Sequence, residues 1–258
     1  MSGYVPYCGA AHPPGFLTWN LDPALVFILL AVAGLHVMHG TERSGRARTF
    51  AIAGWAIVGA AFLSPLCNLT VSLFSARVGQ HMLLTLFAAP LIVLATDWRR
   101  IPWPVTLRRH GIAESIGATV AFMVLLWFWH MPAPYDATLR GDLAYWTMHV
   151  TMFGAALWLW RVLWGGTSVG MAGTALISLF TGIQMSILSA VLTLAPQALF
   201  EVHFGTTAPW GLSPLEDQQV GGLIMWVPAG LLLVGYAMVA FALEFRRMEA
   251  RQSTMHAE

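Results

Sequence analysis

The run Trp127-Phe128-Trp129-His130-Met131-Pro132-Ala133-Pro134-Tyr135-Asp136 closes a long apolar segment with an imidazole, a thioether, two prolines and a carboxylate. A helix that reaches the edge of a bilayer ends this way, because indole rings suit the headgroup level and a proline stops the backbone ladder. Trp127 and Trp129 are therefore expected at the interface, and Pro132 at the break. His130 needs an explanation, since an ionisable ring on a hydrophobic span is costly without a partner or a task.

The rest of the chain has the same character. Of 258 residues, 57% are hydrophobic and only 10% charged, which excludes an ordinary soluble domain and points to an all-α integral membrane protein. Seven apolar runs are expected to form transmembrane helices: Asp22–Gly40, Phe50–Leu66, Val78–Thr96, Ile112–His130, Leu143–Trp164, Met171–Ala195 and Val220–Phe245. Each approaches the ~20 residues that cross about 30 Å of hydrocarbon. Residues 1–21 form an irregular, uncharged arm with neither the basic nor the apolar region of a signal peptide. Residues 22–247 form the membrane domain and residues 248–258 a tail.

All 13 basic residues are arginines, and their placement sets the orientation. Arg43, Arg46, Arg48, Arg99, Arg100, Arg108, Arg109, Arg161, Arg246, Arg247 and Arg251 fall on one side, and only Arg77 and Arg140 on the other. The arm is thus expected outside and the carboxy terminus in the cytoplasm. A net charge of +1 gives no reason to expect nucleic acid, and the lipid bilayer is the expected surroundings.

This orientation brings His81, His130 and His149 to one depth beneath the outer surface, on three different spans. Cys8 and Cys67 belong to the same side, as do Met82, Met131 and Asp217. Imidazole with thioether or thiolate suits a soft or borderline metal, copper(I) first and zinc second. The competing reading is structural. A histidine at a helix end also bonds a carbonyl or a lipid headgroup, methionines fill packing gaps, and Cys8 with Cys67 is equally a disulfide in an oxidising compartment. Ser213-Pro214-Leu215-Glu216 reads as a capping box, and the following Asp217 favours a helix amino terminus. Gly221 and Gly222 permit close backbone approach.

The chain resembles the seven-span CtaG-type cytochrome c oxidase assembly proteins. The matching stretches are Pro90-Leu91 after His81-Met82, the Trp129-His130-Met131-Pro132 end of span four, His149, and Asp217-Gln218-Gln219 with Gly222-Leu223-Ile224-Met225-Trp226-Val227-Pro228. The resemblance runs from about Leu21 to Phe245 and does not extend to the single-span copper chaperones of similar name. It implies a bacterial inner-membrane protein that serves a haem–copper oxidase subunit, supplies its copper, and receives copper from a periplasmic chaperone. One departure stands out: Arg77 occupies a position where the family often has a second histidine one helical turn before His81, and a guanidinium cannot ligate metal. No nucleophile–base pair or phosphate loop points to an enzyme. Two alternatives stay open, a haem-binding electron carrier with two axial histidines and a structural oxidase subunit without its own metal.

Overall fold

A computed structural model describes residues 4–16, 18–42, 44–98, 111–164 and 170–255, with side chains described as far as Arg246. Arg43, Arg99, Arg100, Arg108 and Arg109 lie outside the described residues, as do the side chains of Arg247 and Arg251. Among the described residues the architecture is helical without strands. The helices are α1 (Pro23–Leu35), α2 (Gly45–Leu63), α3 (Pro65–Ser72), α4 (Phe74–Met82), α5 (Ala89–Ala95), α6 (Ile112–Trp129), α7 (Pro132–Arg140), α8 (Asp142–Trp164), α9 (Gly170–Leu194) and α10 (Pro214–Met255).

Six segments among the described residues are long and apolar enough to cross a membrane: Pro23–Gly40, Gly45–Leu63, Phe74–Ala95, Ile112–Trp129, Gly170–Leu194 and Pro214–Arg246. The chain is thus a multi-pass membrane protein. Large apolar side chains such as Phe27, Leu30, Leu231 and Met238 stand exposed along these helices, which suits lipid and not water. The expected count was seven. The remaining run forms α8, whose 23 residues are long enough but include Asp142, Thr147, His149, Thr151 and Arg161. These make it more polar than the other six, and it is a core element: Tyr145, Met148, His149, Met152, Ala156 and Leu159 are all buried. It packs against α5, α6 and α7.

Span three is broken in the middle. Between α4 and α5, residues Leu83–Ala88 form a π-turn, and the Ala89 N–H donates to Leu84 O, five residues back. Pro90 is the cause: it has no N–H for Leu86 O, and its ring crowds that carbonyl, so the ladder opens. The widened turn leaves Thr85 O without a helical donor, and Trp160 Nε1–H of α8 fills it at 2.7 Å. The opening therefore costs no unpaired carbonyl, and it ties span three to α8.

The fourth span ends at Trp129, with His130 as the capping residue and Pro132 starting α7. Trp129, expected at the headgroup level, faces the bundle. It is buried, and its Nε1–H donates to Thr151 Oγ1 of α8 at 3.0 Å. The capping box is present, with Ser213 N–H donating to Glu216 Oε2 at 2.7 Å and Glu216 N–H to Ser213 Oγ at 3.2 Å. Gly222 lets α10 close on α9, since a Cβ there would stand 2.2 Å from Thr193 Oγ1 and 3.0 Å from Ser189 O. A Cβ on Gly221 would meet the Phe74 ring at 2.5 Å.

Candidate metal centre

His149 lies two turns into α8. Its Nδ1 is 2.9 Å from Tyr145 O, and its Nε2 is 3.2 Å from Gln80 Oε1. A carbonyl oxygen only accepts, so Nδ1 carries the proton of a neutral ring. The orientation of the Gln80 amide is fixed separately, because its Nε2–H donates to Ala61 O at 2.7 Å. The Nε2 lone pair of neutral His149 and the Gln80 carbonyl therefore face each other as two acceptors. Such a pair calls for a positive centre between or beside them, either a proton or a metal ion.

His130 repeats the first half of this arrangement. Its Nδ1 donates to Leu126 O at 2.7 Å, which leaves Nε2 as the lone-pair nitrogen. A backbone carbonyl on one ring nitrogen is the usual device that orients a metal-binding histidine. His81 on α4 differs from both. It is buried, and neither of its nitrogens has a hydrogen-bond partner. The ring centres lie 5.2 Å apart for His81–His149 and 6.4 Å apart for His81–His130. With metal–nitrogen bonds of about 2 Å, ring centres of histidines sharing one ion stand roughly 5–6 Å apart. As the side chains stand, no group of three or more His, Cys, Asp or Glu among the described residues is set to hold a metal ion. Closing a site requires His149 to release Gln80 and His81 to turn within its pocket.

The other expected ligands are placed elsewhere. Cys8 and Cys67 are joined in a disulfide, so neither offers a thiolate. The bridge is buried against α8, where Tyr145 O–H donates to Cys8 Sγ at 3.2 Å. It staples the arm to α3, and Asn68 Nδ2 adds bonds to Cys8 O at 3.0 Å and Ala10 O at 2.9 Å. Asp217 is not beside the histidines. Its carboxylate caps α4, accepting from Phe74 N at 2.6 Å, Ser75 N at 3.1 Å and Ser75 Oγ at 2.5 Å. It lies in the first turn of its own helix, as expected, and its carboxylate serves a neighbour's amino terminus as well. Met131 is half exposed at the end of α6, and Met82 lines an apolar groove with Gly79, Leu83, Ile224 and Pro228. Met148, Met152 and Met225 are buried.

His203, in the loop before α10, is a separate case. Its Nε2 is paired with Tyr135 O–H at 2.7 Å, and burial pushes its pKa down to about 3, with Arg77 adding to the shift. Gln80 was missed by the sequence reading. Its only signal was an amide adjacent to His81 on an apolar span, where polar side chains seek one another.

A family model for the cytochrome c oxidase caa3 assembly factor matches residues 26–247. No curated protein and no solved structure matches the chain. The match covers every described span but the first few residues of α1, including all three histidines, and the chain belongs to the family of cytochrome c oxidase caa3 assembly factors.

Proposed function

We propose that the chain holds copper(I) as cargo on His81, His130 and His149 and hands it to a haem–copper oxidase subunit. The observation that carries this reading is the pair of unmet requirements in one buried cluster: His81 with two unpartnered nitrogens, and the His149 lone pair facing the Gln80 carbonyl. Neutral imidazoles around a monovalent ion leave one net charge in the bundle, and nitrogen donors with nearby thioether suit copper(I). Met152 lies one turn from His149 and is buried with it. No bond-making step is needed. The work is to bind, to shield and to release.

In the same reading α8 is the seventh crossing, which puts the termini on opposite sides. The Cys8–Cys67 disulfide supports an outer location for the arm, because such bridges persist in oxidising compartments. The setting is then the inner membrane of a bacterium, with a periplasmic copper chaperone as donor.

The test is to purify the protein under mild reductant, load copper(I) and count bound metal for His81→Leu, His130→Leu and His149→Leu. Each variant should lose at least tenfold in affinity at normal abundance, while His36→Leu binds like the parent. Parent-like copper in all three variants overturns the assignment. A haem absorption band in the parent would replace copper with the electron-carrier reading.

A further inference from the structure

Arg77, one turn before His81 on α4, is 1% exposed. Its Nη1 donates to Thr138 Oγ1 of α7. The guanidinium also lies over the rings of Tyr135, at 5.4 Å, and Tyr145, at 5.7 Å. Its Nε and Nη2 have no hydrogen-bond partner. These two nitrogens form one edge of the guanidinium, the fork that grips an anion with two parallel N–H bonds. Among the described residues no carboxylate pairs with it: Asp136 faces Arg140, and Glu114 faces Arg161. Asp217 is committed to three donors at the start of α4. Aromatic faces soften a buried cation but do not neutralise it.

A guanidinium stays charged in any protein setting, so it cannot escape burial by losing a proton as a lysine does. A buried charge requires a counter-charge, and an N–H fork requires acceptors. One ligand meets both needs. We propose that the free edge of Arg77 binds a small monovalent anion, a halide or a carboxylate of formate size. A divalent anion would exchange one uncompensated charge for another. The site is separate from the copper reading, which uses different atoms, and it needs no metal to form.

The experiment uses metal-free full-length protein in detergent with gluconate, too bulky to enter, as the only anion. Chloride, bromide and formate are then titrated in at constant ionic strength while the unfolding midpoint is followed. At about a hundredfold excess over Kd the midpoint should rise by roughly 5–10 °C and saturate. Saturation by halide alone identifies a spherical anion, and saturation by formate as well identifies a site open to carboxylates. Arg77→Met should abolish the rise, and Arg77→Lys should weaken it. No saturable rise with any of the three anions, or a rise that persists in Arg77→Met, overturns the proposal. If Arg77→Met does not accumulate, chloride NMR on the parent decides. The chloride line must broaden on adding protein and sharpen again with excess bromide, and an unbroadened line overturns the proposal.

Discussion

Two buried arginines answer the same problem differently. Arg161, on the last turns of α8, meets Glu114 of α6 in a buried ion pair and lies over the Trp98 ring at 5.2 Å. Arg77, at the other end of the bundle core, meets a hydroxyl and two rings and leaves its fork edge unpartnered. The histidines divide in the same way. His36 uses both nitrogens within the chain, accepting from Trp55 Nε1 at 3.0 Å and pairing with Thr96 Oγ1 at 3.0 Å, whereas His81 uses neither. His36 and Arg161 thus find their partners within the fold. His81 and one edge of Arg77 do not, and unmet donors and lone pairs in a buried cluster are what a ligand would complete.

Three measurements press on that difference. The largest effect is expected from Glu114→Gln, which leaves Arg161 buried without its carboxylate and should cost about 3–5 kcal/mol, seen as a lower unfolding midpoint and lower abundance. Arg77→Met in gluconate should cost far less, since it removes a charge that has no partner in the chain. Equal losses in the two variants would break the comparison.

His203 sharpens the comparison, because it is a buried histidine whose Nε2 is paired. Its folded pKa, about 3, lies below the ordinary value of 6.5, so the unfolded chain binds the extra proton first. Its contribution to stability is complete above pH 6.5 and falls as the pH drops from there toward 3. The expected loss is about 3 kcal/mol by pH 4, at roughly 1.36 kcal/mol per unit. His203→Gln should flatten this part of the stability–pH curve, and an unchanged slope would place the proton elsewhere.

The smallest effect comes from the paired and unpaired histidines. His36→Leu strands the Trp55 N–H and should cost about 1–3 kcal/mol. His81→Leu removes a ring with no hydrogen bond and should leave the midpoint of the metal-free protein within about 0.5 kcal/mol. The reverse order would mean that His81 has an intramolecular role.

Most of the helices were legible because lipid-crossing length and proline punctuation are local signals. The expected run Ile112–His130 became Ile112–Trp129, and Met171–Ala195 became Gly170–Leu194. The start of α10 was written in its capping box, although the apolar run alone placed it at Val220, six residues late. The candidate cluster was legible only as a shared depth of His81, His130 and His149. What distinguishes a ligand from a packed histidine is the partner of each nitrogen, and those partners come from far along the chain: Gln80 lies 69 residues from His149. Likewise, Asp217 caps a helix 142 residues away, a choice that no local motif records. The cysteines were two readings of equal standing until the arm was seen to lie against α3.

The π-turn at Leu83–Ala88 also has a consequence for phase. One residue of an α-helix is about 100° of rotation, and a π-turn takes in one residue more than the α-turn it replaces. An offset of that angle between the half of span three that carries Arg77, Gln80 and His81 and the half that carries Ile92 and Val93 would be expected. Yet the less buried positions, Ala76, Gly79, Leu83, Phe87, Leu91 and Leu94, recur every three or four residues, so one stripe facing away from the core runs through both halves. The core side is tied to α8 at the turn itself, where Trp160 Nε1–H takes the freed Thr85 carbonyl. The turn therefore frees a carbonyl for α8 without breaking the single face that span three presents to the bundle.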